Sequence, residues 1–332
     1  VSIQSIEEMG QLAPFGMGNP KPRVLLPDAQ VASAKRIGAD GSHLKAMLKS
    51  GESSLDAIGF GMGDYYDEIS PNAVLSVIGE LSVNEWNNIR KPQIFVQDLS
   101  IAHWQLFDIR GNKQLKQLLN GVPSENTKVI FFNKEHADQH KTDDSGTVVV
   151  IEEMEQARTE ELNGHNIVLA DMPPDESLLK GLLYGKEPDR LYVHFRQNQN
   201  HFFSTIPTRE HFKWFYALLA KKGPLDLKRY SKDIAKHKGW SDDTVDFMCK
   251  VFFELNFVTI ENGIISINKQ APKRDMSESP SYSGKQKQIK LENELIYSNY
   301  QQLFDKMQSY LIGTELKEEH SHGFKTICHN ST

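Results

Sequence analysis

The stretch "SAKRIGADGSHLKAMLKS" gathers Lys35, Arg36, His43, Lys45 and Lys49 around one turn. Side chains of this kind hold phosphates. Arg23 precedes the group, and Arg90 and Lys91 follow beside Trp86. Along a strand His43 and Lys45 share one face, while Leu44 and Ala46 share the other. Two readings stand: a solvated hairpin face, or a basic groove with aromatic platforms of the kind that holds a single strand of nucleic acid.

Other motifs carry less chemistry. "PFGMGNP" sets a Gly-x-Gly between prolines. It is no phosphate loop, because that loop needs a Lys and a hydroxyl at fixed spacing to reach phosphate and magnesium. No such string occurs; Gly185-Lys186 is followed by Glu187. The stretch predicts a tight turn that uses glycine's positive φ, or one whose N–H groups, with Asn19, face a phosphate. "GFGMGD" at 59–64 predicts a strand-to-helix turn. Asp171 in "NIVLADMPPDE" resembles the strand-end acid of an ATPase, but without a phosphate loop it reads as a loop or helix-cap residue. "EHADQHKTDD" clusters His136, Asp138, His140 and Asp143 without an assured third ligand, and the tail "HSHGFKTICH" holds metal at most adventitiously. No catalytic residue, no resident cofactor and no metal site is therefore assigned.

A third charge pattern lies further on. From Pro207 to Trp240 there are nine Lys/Arg against three Asp/Glu. Lys221, Lys222, Lys228, Arg229, Lys232, Lys236 and Lys238 concentrate beside Trp214 and Tyr230. The helix that follows carries Asp242, Asp243, Asp246 and Glu254 with only Lys250, a poor reader of the major groove. The basic residues predict a surface that docks an acidic peptide with an aromatic end, or a backbone.

These residues need elements to position them. Ile3, Ile6, Met9 and Leu12 recur at helical spacing, and residues 1–22 read as a helix and a Gly/Pro junction. Residues 23–102 read as about five alternating strands with a short helix near "DYYDEIS", a small OB-fold barrel. Residues 103–206 hold the continuous apolar runs "KVIFFN", "GTVVVIEE", "NIVLADMPP" and "RLYVHFRQ", separated by helix-like stretches. They predict a small parallel α/β layer, Rossmann- or helicase-like. Residues 207–270 read as three helices and a hairpin at Glu261-Asn262-Gly263, a winged-helix-like module with Ser241 capping its third helix. Residues 271–332 read as a polar linker, one last helix and a mobile tail. The fold class is thus α/β plus β.

The net charge of −6 argues against a chain basic throughout and leaves room for local patches. Cys249 and Cys328 form no disulfide framework, which fits a cytoplasmic protein. No long apolar run predicts a membrane span. The chain opens at Val1 inside a helical pattern, which predicts a fragment.

"LAPFGMGNPKP", "RIGADGSHLKAML", "LDAIGFGMGD" and "GELSVNEWNNIRKPQIFVQDL" together resemble the region after the catalytic core of the RecJ family, bacterial single-strand-specific exonucleases. The resemblance is dense over residues 7–101. Beyond 101 the chain is similar to the extra C-terminal region of family members from Bacillus- and Staphylococcus-like bacteria. The family removes nucleotides from the 5′ end of single-stranded DNA in repair and recombination. It uses divalent metal, Mn or Mg, held by Asp and His motifs, and no Asp-His-His or GGGH-like string occurs here. The resemblance thus implies a non-catalytic accessory region. Its implied partners are single-stranded DNA, the missing catalytic core and the tail of single-strand-binding protein. The alternative is a protein-docking module whose barrel is only structural.

Overall fold

The structure, a computed structural model, describes residues 1–101, 103–111, 115–122, 124–140, 146–196 and 206–313. Asp143, Cys328 and the histidine-rich tail lie outside the described residues. The chain divides into two compact units. One comprises Val1–Ile151, Glu160–Ala170 and Lys186–His194; the other comprises Glu152–Thr159, Asp171–Gly185 and the chain from Phe195 onward.

The first unit opens with helix α1 (Ile3–Gly10), capped by Ser2, whose hydroxyl accepts the Ser5 N–H. Five strands follow: β1 (Val24–Ile37), β2 (His43–Ser50), β3 (Ser53–Gly59), β4 (Val74–Trp86) and β5 (Ile89–Ser100). They close into a barrel in the order β1-β2-β3-β5-β4, with β1 paired to β4 and β3 parallel to β5. Closure leaves no open sheet edge. Alternation explains the inside: Leu44, Ala46 and Leu48 of β2 point into a core with Leu55, Ala57, Leu75, Val77, Leu81 and Ile94. Ile6 and Met9 of α1 pack against the same core.

A 3₁₀ turn, Gly63–Glu68, caps one end of the barrel. The Gly63 N–H donates to Ser42 O at 2.9 Å. A Cβ at Gly63 would stand 2.1 Å from Gly41 O, so only glycine permits this approach. The strand-to-helix turn expected at "GFGMGD" is present. The earlier loop differs from expectation: neither Gly16 nor Gly18 has a positive φ, and the turn closes through paired Gly16 and Asn19 backbone bonds of 2.9 and 3.1 Å.

The same unit carries a parallel sheet: β6 (Gln105–Asp108), β7 (Thr127–Phe131), β8 (Thr147–Val150), β9 (Asn166–Asp171) and β10 (Arg190–Arg196), in the order β6-β10-β9-β7-β8. Helices α2 (Leu115–Leu119) and α3 (Lys134–Asp138) follow β6 and β7. Val129, Phe131, Val168 and Ala170 are buried on one face, and Ile130, Ile167, Leu169, Leu191 and Val193 on the other. This is why the strands read as continuous apolar runs. Strand β6 escaped the sequence reading because only Leu106 and Phe107 mark it. Its Gln105 joins the sheet to the barrel cap: it accepts the Ser70 N–H at 2.9 Å and donates to Glu68 O at 3.1 Å.

In the second unit, α4 (Met154–Thr159) and α5 (Glu176–Leu183) pack together, with Gly181 against Met154. Asp171 is a correction to the sequence reading. It is the buried last residue of β9, and the cap of α5 is Asp175, which accepts the Leu178 N–H at 2.9 Å.

Helix α6 (Arg209–Lys222), strand β11 (Leu225–Asp226), helices α7 (Leu227–Lys238) and α8 (Asp242–Glu254), and strands β12 (Val258–Glu261) and β13 (Ile264–Ile267) make the winged helix, with strand order β11-β13-β12. Asn262 and Gly263 take the positive φ values of a two-residue hairpin turn. Ser241 holds the N-cap position of α8, but its hydroxyl meets that of Thr244 instead of a backbone N–H.

The second half of the expected polar linker, from Pro280 on, is helical. α9 (Pro280–Leu295) begins with Ser279 as cap and Pro280 at its first turn. The Glu254 carboxylate accepts from the Ser279 hydroxyl and from both the N–H and hydroxyl of Ser281. The expected single last helix is also broken: α10 (Tyr300–Ile312) restarts at Asn299, whose side chain caps it in a box with Gln302. Among the described residues no helix is long and apolar enough to cross a membrane.

Candidate nucleic-acid interface

Strand parity sorts the basic hairpin. Lys35 pairs with Lys45 across β1–β2, and Arg36 with Leu44. Leu44 faces the core, so Lys35 and Lys45 share the outer face and Arg36 does not. The Arg36 guanidinium turns instead to the barrel cap. It donates to Gly63 O at 3.0 Å and to Asp67 at 2.5 Å, with Asp64 at 3.8 Å and Tyr66 beneath it.

The outer face of β2 runs His43, Lys45, Met47, Lys49. Lys45 pairs with Asp56 of β3 at 3.0 Å. The structure puts Asp56 beside the hairpin, because β3 is the neighbour of β2 and Asp56 lies opposite Met47. Lys35, Lys49, Arg23 and Lys91 are exposed and, among the described residues, have no ion-pair partner. Arg90 bonds Glu7 of α1 at 2.7 Å. Asn19 donates its amide to Leu12 O and Pro14 O at 2.8 and 3.1 Å and so locks its own turn.

Two residues absent from the sequence reading complete this face. Phe60, 62% exposed, stands edge-on to His43 at 5.3 Å and 5.7 Å from Phe95. His43 is fixed by the Gly61 N–H, which donates to its Nδ1 at 3.0 Å and leaves the ring proton on Nε2. Ile58 pairs with both Lys45 and Phe95 and joins the two groups. A basic edge thus borders a row of three rings, the two components a single strand needs: cations for phosphates and π-faces for bases. The "GFG" and "IFV" strings were the available signal. They needed the barrel's strand order to come together.

The winged helix carries the second basic group. Lys221, Lys222, Lys228, Lys232 and Lys236 are exposed without ion pairs among the described residues. Arg229 lies over Tyr230, and Lys238 Nζ stands 4.2 Å from the Trp214 ring centre, with Trp240 edge-on to Trp214.

Among the described residues no three His, Cys, Asp or Glu side chains converge. His140 stacks on Phe131. A polar cleft of about 510 Å³ at the N-terminal ends of β7, β8 and β9 contains Lys128, which is already held by Glu160 at 2.6 Å.

A closed five-stranded barrel followed by a parallel sheet with helices defines a protein of the OB-fold class. Residues 1–98 match the RecJ OB domain, and residues 105–306 match the C-terminal domain of single-strand DNA-specific exonucleases. The chain belongs to the RecJ family of single-strand-DNA-specific exonucleases. It is 42% identical over 304 residues to the single-stranded-DNA-specific exonuclease RecJ of Bacillus subtilis, covering 91% of this chain and 39% of that protein. It therefore spans about two fifths of that relative's length. Among solved structures, RecJ of Thermus thermophilus with Mn²⁺ is 23% identical, covering 61% of this chain and 27% of that one, with a TM-score of 0.24. The second single-stranded-DNA-binding protein of Mycobacterium smegmatis is 11% identical over 24% of this chain and 84% of that one, with a TM-score of 0.22.

Proposed function

We propose that this chain is the accessory region of a single-strand-specific 5′-to-3′ DNA exonuclease acting in repair and recombination. It holds the strand on the outer barrel face, while the metal-dependent chemistry belongs to the remainder of the longer protein. One observation carries the reading: Lys45 lies level with the His43–Phe60–Phe95 row on the outer barrel face, with Lys35 directly across from it and Lys49 on the same face four residues further along β2. Phosphate contacts and ring stacking carry no sequence preference, so binding is indifferent to base order. The test is fluorescence anisotropy with an oligonucleotide of about 20 bases at about 50 mM salt. A K35E/K45E/K49E variant, shown by circular dichroism to be folded, is expected to lose more than about tenfold in affinity. Unchanged affinity makes the barrel purely structural.

A second surface supports a second reading. The unpaired lysines of α6 and α7 beside Trp214 and Tyr230 suit a short acidic tail with an aromatic end. The family resemblance nominates the tail of single-strand-binding protein. R229E/K232E should weaken a tail peptide; equal binding in the variant sinks this assignment.

A further inference from the structure

We propose that the tip of the β4–β5 hairpin is a base-stacking stop at one end of the strand path. Trp86 and Ile89 form its apolar surface and Lys91 its phosphate contact. This rests on the reading of the outer barrel face given above.

The β4–β5 ladder stays paired out to Trp86 and Ile89, well past the last core residues Leu81 and Ile94. The turn is Asn87-Asn88, both with positive φ, the two-residue type whose twist matches the strands and keeps a ribbon straight to its end. Trp86 is 74% exposed and Ile89 59%. They are direct cross-strand partners, so they share one face.

Parity identifies that face. Counting by twos back along β5 from Ile89 gives Lys91, Gln93 and Phe95; along β4 from Trp86 it gives Asn84, Ser82 and Glu80. Glu80 lies opposite Phe95, so both strands agree. The tip therefore shares its face with Phe95, which joins Phe60 and His43. Six residues of strand set it about 20 Å from Phe95. The opposite face has another occupation: Glu85 lies across from Arg90, which is held by Glu7. On the track side Glu80 is engaged by Lys21 and Gln97, and Lys91 is exposed. A paired Trp and Ile with an adjacent lysine, continuous with a ring-and-lysine track, fit an unstacked nucleobase and its phosphate.

The test uses this chain, labelled oligothymidylates of about 20 and about 3 bases, and anisotropy. The short one fits on the ring row alone; the long one reaches the tip. W86A is expected to weaken the long oligonucleotide about tenfold and leave the short one unchanged, and W86F to stay within about threefold of wild type on both. Wild-type affinity of W86A for the long strand, while K35E/K45E/K49E still loses it, overturns the stop and leaves the barrel reading standing. Equal losses on both lengths also overturn it, since the effect is then not at the end of the path. Absence of binding by the wild-type chain removes both.

Discussion

Lys35 and Arg36 are neighbours of the same charge with opposite tasks. One faces the outer barrel surface; the other ties the 3₁₀ cap to the barrel through Gly63 O and Asp67. The sequence put both on the nucleic-acid path. The alternation that separates them was legible along β2, where the two-residue period is unbroken; along β1 it is interrupted by register shifts between Leu26 and Ala29 and between Val31 and Ser33, so the face of each cation follows only from the pairing with β2. What was not legible is the partner, since Asp67 sits some thirty residues away and meets Arg36 only when the barrel closes. Likewise Arg90 and Lys91 look equivalent until Glu7 of α1 engages one of them. Phe60 was invisible as a site residue because its neighbours His43 and Phe95 come from two other strands. R36A is expected to cost about 1–2 kcal/mol of stability through lost charge-assisted bonds, and to leave single-strand affinity within about twofold at temperatures where it is folded. K35A should do the reverse, with stability within about 0.5 kcal/mol and the salt slope of binding shallower by about 0.7. Thermal melts and anisotropy on the two variants check this. Loss of binding in R36A with intact K35A binding would exchange the roles.

At the scale of elements, the barrel strands were read correctly because each has one wet and one dry face, which prints alternation on the sequence. Four of the five parallel strands were read because burial on both faces prints an apolar run, and β6 was missed because Leu106 and Phe107 alone mark it. The C-terminal helices were misread for the opposite reason. "KRDMSESPSYSGKQKQ" is polar enough to look like a linker, and its helical start depends on Glu254, a residue on another helix. Helices α5, α9 and α10 meet through a charge cluster that composition does not announce. Lys306 contacts Glu176 at 2.9 Å and Glu294 at 2.6 Å, and the Tyr310 hydroxyl donates to Glu176 at 2.8 Å. Burial works against the Glu176 charge, but the bonds from Lys306 and Tyr310 and the charges of Lys306 and Lys180 outweigh it and hold the carboxyl at about 2. A carboxyl depressed in the folded state stabilises it above the ordinary carboxylate range. That contribution is lost as pH falls from about 4.5 toward about 2. Solvent screening of this half-exposed group limits it to about 1 kcal/mol. Denaturant unfolding between those pH values should show the loss in wild type and a flatter profile in E176Q. Parallel profiles would remove Glu176 as the cause.

At the scale of the whole molecule, the net charge of −6 repels a polyanion at long range, so association must come from local surface. The order of barrel, parallel sheet and winged helix was legible from the change of period along the chain, but which cations remain available was not. Among the described residues Lys35, Lys49, Lys91 and Arg23 have no ion-pair partner, the first three lying on the proposed strand path, and Lys45 is shared with Asp56. This makes the salt dependence of binding a count of contacts. On a single strand each phosphate contact contributes a slope of about −0.7 in log affinity against log salt. Three contacts give about −2.1, a loss of about twentyfold between about 50 and 200 mM. Four give about −2.8, a loss of about fiftyfold over the same range. Wild type is expected near the lower count, because Lys45 must leave Asp56 before it can meet a phosphate. D56N frees Lys45 and should steepen the slope toward the higher count while raising affinity at low salt. An identical slope in D56N would mean that Lys45 never reaches the strand. A slope near zero with binding retained would remove the lysine edge from the path and leave the rings alone to hold it.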